Sequence, residues 1–138
     1  MDWKTSYSIG LEEIDGQHKT LLALFSDITE AIARDDSWSD VHYRVVALRS
    51  FAEFHFRFEE AMMRFFGYPD AANESHCKAH RAFFERLDSI VRTSLRDEVK
   101  KDMVRFLFDW LTEHILVSDR EYAEFILANP KPVPSAAR

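Results

Sequence analysis

The sequence predicts an all-α protein, an antiparallel up-down-up-down four-helix bundle with an extended N-terminal arm. Three observations point there. Four long segments repeat apolar residues at helical spacing, and no stretch alternates with the period of a strand. Only 3 Gly and 4 Pro occur in 138 residues, so little interrupts those segments. Twelve Phe within a 46% hydrophobic composition supply the volume of a core that one domain of this length can bury.

Residues 1–14 lack helical periodicity but contain Trp3, Tyr7, Ile9, Leu11 and Ile14, and read as an arm packed on the domain. A first helix is predicted after Asp15, taken as its N-cap, to about Arg34, with His18, Leu21, Leu22, Phe25, Ile28 and Ile32 on one stripe. The polar cluster Asp35-Asp36-Ser37 ends it, and Ser37 or Ser39 can cap the next. That second helix spans about Asp40 to Phe66, with Val41, Val45, Leu48, Ala52, His55, Glu59, Met62 and Phe66 inward, and Gly67 with Pro69 stops it. A third runs from Asp70 to about Thr93 and carries His76, His80, Phe83, Phe84, Leu87, Ile90 and Val91. A fourth spans about Arg96 to Leu127, with Val99, Met103, Leu107, Trp110, Leu111 and His114 inward. The domain is therefore set at residues 1–128. Residues 129–138, with Pro130, Pro132 and Pro134, are read as a disordered tail.

The formal net charge of −6 argues against a nucleic-acid backbone as partner. Neither a signal peptide nor an apolar run long enough for membrane insertion is recognisable, and the single Cys77 cannot close an internal disulfide; both fit a cytoplasmic protein.

Seven side chains at four places on these helices are potential metal ligands: His18, His55 with Glu59, His76 with His80, and His114 with Asp119. Residues four apart differ by about 40° of rotation, so each such pair offers two donors on one face. Alone, each pattern is weak, since a His-x-x-x-Glu pair is usually a surface ion pair. Together they are specific, because every member lies on the apolar stripe of its helix. Five buried imidazoles and two buried carboxylates are costly unless each finds a partner, and a pair of metal ions satisfies all seven at once. His114 and Asp119, five apart, should point about 140° from each other on a regular helix. A local loosening such as a π-bulge, or entry of Asp119 from a helix end, is expected there.

Other candidates are set aside. His42 falls off the stripe and is read as solvent-facing, and Cys77, adjacent to His76, as a small semi-buried residue. Met62 and Met63 are read as packing. Glu12, Glu13 and Glu60 are read as solvated charges.

The pattern closely resembles the hemerythrin family, specifically its single-domain bacterial members. The resemblance rests on Trp3, Ile14-Asp15-Gly16-Gln17-His18-Lys19, His55-Phe56-Arg57-Phe58-Glu59-Glu60 with Met63, Gly67-Tyr68-Pro69, His76 with His80, and Asp109-Trp110-Leu111 leading into His114 and Asp119. It covers roughly residues 1–125, with no ligand position substituted. The resemblance implies two iron ions with an oxo or hydroxo bridge. His76, His80 and His114 would bind one, His18 and His55 the other, and Glu59 and Asp119 both. It further implies that dioxygen binds reversibly, as peroxide, at the one iron left five-coordinate. Leu22, Phe25, Phe51, Ile115 and Leu116 are candidate walls of that pocket. The function implied is dioxygen transport, storage or supply rather than catalysis, with an oxygen-consuming enzyme or redox protein as partner. Two alternatives use the same irons: an enzyme reducing dioxygen, peroxide or nitric oxide, and a sensor acting through a separate protein.

Overall fold

The computed structural model describes residues 1–93 and 96–130. After a single 3₁₀ turn at Thr5–Tyr7 come α1 (Glu12–Ala33), α2 (Trp38–Phe65), α3 (Asp70–Thr93) and α4 (Arg96–Glu113). A π-helical turn at His114–Ser118 then leads into α5 (Asp119–Ala128), which continues α4 as the fourth rod of an all-α four-helix bundle. No strand occurs among the described residues. Helices α1 and α2, α2 and α3, α3 and α4, and α1 and α4 pack against one another, closing the ring. None of the described helices is long and apolar enough to cross a membrane. The tail reading lies outside the described residues beyond Pro130; Asn129 and Pro130 are non-helical.

The ends of the helices follow from local chemistry. The left-handed residue Asp35 (φ 57°) closes α1, with Asp36 N–H donating to the Ala31 carbonyl at 3.0 Å. Gly67 (φ 71°) closes α2 the same way, with Tyr68 N–H donating to the Met63 carbonyl at 2.8 Å. Ser37 is the cap of α2, its Oγ accepting from Asp40 N–H at 3.2 Å.

One boundary differs from expectation. Helix α1 begins at Glu12, three residues before Asp15, and its N-cap is Leu11, without a side-chain bond. Asp15 instead reaches back to the arm, accepting from Ile9 N–H at 2.9 Å and from the Ser8 hydroxyl at 2.5 Å. It thus ties down the chain before the helix, while Glu12, Glu13 and Asp15 together complement the helix dipole. The arm is correspondingly shorter, ending at Leu11.

The core has two apolar parts. The larger unites Leu21, Leu22, Phe25 and Ile28 with Val45, Leu48, Phe56, Phe83, Leu87, Met103, Leu107 and Leu111. The smaller gathers Ile9 from the arm with Ile14, Met63, Tyr122, Ala123 and Ile126. Along α1, α2 and the α4–α5 rod, polar residues mark the boundary between the two: His18 between Ile14 and Leu21, Glu59 between Phe56 and Met63, and His114 with Asp119 between Leu111 and Tyr122. Buried polar groups therefore form a layer inside an otherwise apolar interior.

Candidate metal centre

All seven predicted ligands lie in that layer and are buried. They form two groups whose donor atoms lie within 4.8 Å of one another: Glu59, His76, His80, His114 and Asp119, and His18, His55, Glu59 and Asp119. Glu59 and Asp119 belong to both. Helical spacing accounts for His55 with Glu59 on α2 and His76 with His80 on α3. The π turn accounts for His114 with Asp119, since its extra residue brings positions five apart onto one face.

The geometry of Asp119 divides the layer. Its Oδ2 lies 2.7 Å from His18 Nε2 and 3.7 Å from His55 Nε2. Its Oδ1 lies 2.8 Å from His114 Nε2 and 3.1 Å from His76 Nε2. One carboxylate thus presents an oxygen to each group. Glu59 is more central: Oε1 lies 3.1 Å from His55 Nε2, 3.2 Å from His80 Nε2 and 3.3 Å from His114 Nε2.

All five imidazoles turn Nε2 inward, and two have their far nitrogen fixed from behind. His55 Nδ1 faces Gln17 Oε1 at 2.7 Å, and His80 Nδ1 faces Glu60 Oε2 at 2.8 Å. Each acceptor calls for a proton on Nδ1, which leaves a lone pair on Nε2 of the neutral ring. His80 Nε2 and His114 Nε2 face each other at 3.1 Å. Two inward nitrogens at that separation can share a proton or a cation. The hydrogen bonding agrees: His55 Nε2, His76 Nε2, Glu59 Oε2 and Asp119 Oδ1 are buried without a hydrogen-bond partner. Donor types, convergence and orphaned atoms all fit metal ions.

With protons as the only cations, the cluster holds its charge tightly. Burial opposes protonation of His55, but Glu59 and Asp119 outweigh it and raise its pKa to about 9. Burial likewise opposes protonation of His114, yet Asp119 and Glu59 raise it to about 10. His76 moves upward for the same reason. Burial pushes Glu59 and Asp119 toward the neutral acid, and Glu59 pushes Asp119 further that way, but the imidazoles prevail and hold both carboxyls below their usual range.

Three features were not singled out from the sequence. Glu60, read as a solvated charge, is half-buried and holds His80 from behind. Gln17 does the same for His55. Tyr122 is fully buried, its ring centroid 5.4 Å from that of His76 and its hydroxyl without a hydrogen-bond partner. Burial, with Glu59 and Asp119 nearby, pushes that phenol well above its ordinary pKa. Its signal was available, since Tyr122 follows Asp119 by three residues on α5.

Of the expected pocket walls, Leu22, Phe25 and Ile115 are buried in the larger core, and Phe51 and Leu116 pack partly buried against it. Phe25 and Phe51 border different surface clefts, Phe25 beside Met1 and Phe108, Phe51 beside Gln17 and Phe54. The rings stacked directly on the imidazoles are Phe56, on His80 at 3.9 Å and 4°, and Trp110, on His114 at 4.2 Å and 17°. His42 is exposed and stacks on Trp38, away from the layer. Cys77 is semi-buried, and burial with nearby Glu60 raises its pKa. Met63 is fully buried, Met62 half-buried, and Glu12 and Glu13 exposed, as expected.

Residues 9–126 match the sequence model of the hemerythrin HHE cation-binding domain. A bacteriohemerythrin of Clostridium acetobutylicum is 28% identical over 128 residues, 88% of this chain and 98% of that protein. A bacteriohemerythrin of Stenotrophomonas maltophilia is 26% identical over 92% of this chain and 82% of its own. A myohemerythrin of Theromyzon tessulatum is 28% identical over 87% of this chain and 88% of its own.

Proposed function

The chain belongs to the hemerythrin family, and from that premise we propose that residues 1–128 form a non-haem di-iron protein that binds dioxygen reversibly, for its transport, storage or supply. The observation that carries this reading is the split carboxylate of Asp119, one oxygen toward His18 and His55 and the other toward His76 and His114. His76, His80 and His114 would hold one iron, His18 and His55 the other, and Glu59 and Asp119 both. Bound iron would supply the electrons for reversible dioxygen binding.

The residues divide the work. Three imidazoles and two carboxylates nearly fill an octahedral shell. Two imidazoles and the same two carboxylates leave more of it open, so dioxygen is assigned to the His18–His55 side. Gln17 and Glu60 hold His55 and His80 in the orientation and tautomer that present Nε2. Phe56 and Trp110 fix ring planes on the three-imidazole side. Leu22, Phe25, Phe51, Ile115 and Leu116 are assigned to exclude water, which favours release of dioxygen unchanged over its reduction.

Purified protein with iron counted per chain should be reduced anaerobically, exposed to air and returned to anaerobic conditions. A visible charge-transfer band that appears in air and vanishes on oxygen removal is the expected result. Steady oxygen consumption with an electron donor would overturn the binding role in favour of an oxidase or reductase.

A further inference from the structure

Between α1 and α4 the surface opens into a cleft of about 730 Å³, lined by Phe25, Ile32, Val104 and Phe108, with Met1 of the arm beside them. That volume falls in the range of about 300–1,000 Å³ usual for small-molecule sites. Two other clefts are of similar size, but each offers only two large apolar side chains, Phe106 and Trp110 in one and Phe51 and Phe54 in the other. Here five meet, and Phe108 is 48% exposed at the rim.

Charge gives this cleft a direction. Lys100 meets Asp35 at 3.7 Å and Asp119 meets His18 at 2.7 Å, so α4 starts beside the end of α1 and runs back along it. Lys101 therefore stands at the Ile32 end of the cleft. Phe108 and Asp109 stand at the Phe25 end, where the Met1 ammonium donates to Ser26 Oγ at 3.0 Å. Arg105 lies one helical turn from Lys101. Lys100 is committed to Asp35 and to the Asp36 carbonyl. Lys101 and Arg105 are exposed and make no ion pair or side-chain hydrogen bond among the described residues. Two uncommitted cations beside an apolar trough, on a chain of net charge −6, select an occupant that is anionic at one end and apolar along its length.

We infer that the cleft binds a medium-chain carboxylate, a fatty-acid anion with its head at Lys101 and Arg105 and its alkyl chain over Val104 and Phe108 toward Phe25. The step from Lys101 to Phe108 is about 10 Å along the helix, room for one short hydrocarbon chain. The carboxylate is kept to the Lys101 end by Asp109, which repels it from the other. This site is separate from the seven buried ligands, and the inference does not depend on the metal centre.

Isothermal titration of the full chain with octanoate, decanoate and laurate, each below its micelle concentration, tests it. The expected result is one carboxylate per chain, with affinity rising roughly fourfold per added methylene until the trough is filled. Decanol, with the same chain and no charge, should bind at least tenfold more weakly than decanoate. Lys101→Glu combined with Arg105→Glu should weaken decanoate at least tenfold, and Arg86→Glu, at the neighbouring cleft, should leave it unchanged. Helical circular dichroism equal to that of the native chain secures the comparison. A native chain that binds none of the three, an affinity flat with chain length, decanol bound as tightly as decanoate, or a double variant that binds like the native chain would overturn the proposal. So would flotation of the native chain with anionic phospholipid vesicles that the double variant abolishes, since the occupant would then be a membrane surface.

Discussion

The two halves of the buried polar layer share Glu59 and Asp119 but are supported differently. Around His76, His80 and His114, aromatic rings lie flat against two imidazoles, and a carboxylate, Glu60, stands behind one of them. Around His18 and His55 there are two imidazoles, 4.9 Å apart and edge to face, and the group behind His55 is the neutral amide of Gln17. An anionic acceptor makes the imidazole in front of it a stronger donor to metal than a neutral one does. On the proposed reading, the crowded half would hold its ion more firmly and the sparser half would keep a position free. The asymmetry lies in which rings and acceptors back each half, not in the carboxylates, which serve both.

Removing what the halves share should erase the comparison altogether. Glu59→Ala takes away a donor to both and leaves three imidazoles without the oxygen they face, so iron content should fall from about two per chain to near none, as elemental analysis would read. A chain that still held two irons would exclude Glu59 from the set. Truncating one half should expose the inequality. His18→Ala should leave about one iron per chain, in the half that keeps its three imidazoles, and His76→Ala should lower iron content through the other half. Equal residual iron and identical spectra in the two variants would make the halves equivalent.

Supports behind the ligands should matter less than the ligands. Glu60→Ala is expected to weaken metal retention by about 10–100-fold in chelator competition, the usual scale for groups that orient a ligand. Gln17→Ala should have the smaller effect of the two, and the reverse order would contradict the role given to charge.

The smallest effect expected concerns the metal-free protein and pH. Protonated His55 and His114, raised to about 9 and about 10, contribute stability that is complete below their ordinary value of 6.5. It disappears as pH climbs through 9 to 10. Glu59 and Asp119, held low, contribute stability that is present above the ordinary carboxylate range and lost as pH falls below it. Thermal unfolding of metal-free protein should therefore give its highest Tm between about pH 5 and 6.5, falling on both sides. Added iron should flatten the alkaline limb, because metal replaces the protons.

The seven candidate ligand positions were legible because helical spacing puts them on inward faces, and the five-residue step from His114 to Asp119 called for either a π-bulge or a helix end, of which the structure has the π turn. What spacing does not show is contact between helices. Gln17 is adjacent to His18, and its target is His55, 38 residues away. Glu60 reads as an acid beside an acid, and only the packing of α2 on α3 brings it to His80, 20 residues on. Asp15 was misjudged for another reason. A residue suited to capping a helix is equally suited to tying down the loop before it, and only the start at Glu12 distinguishes the two.

The most direct test of the unequal centre is anomalous diffraction at the iron edge from crystals of the iron-loaded chain. The account predicts two peaks within one buried layer, one among His76, His80 and His114, the other beside His18 and His55, with Glu59 and Asp119 reaching both. A single peak, or iron outside that layer, would contradict it.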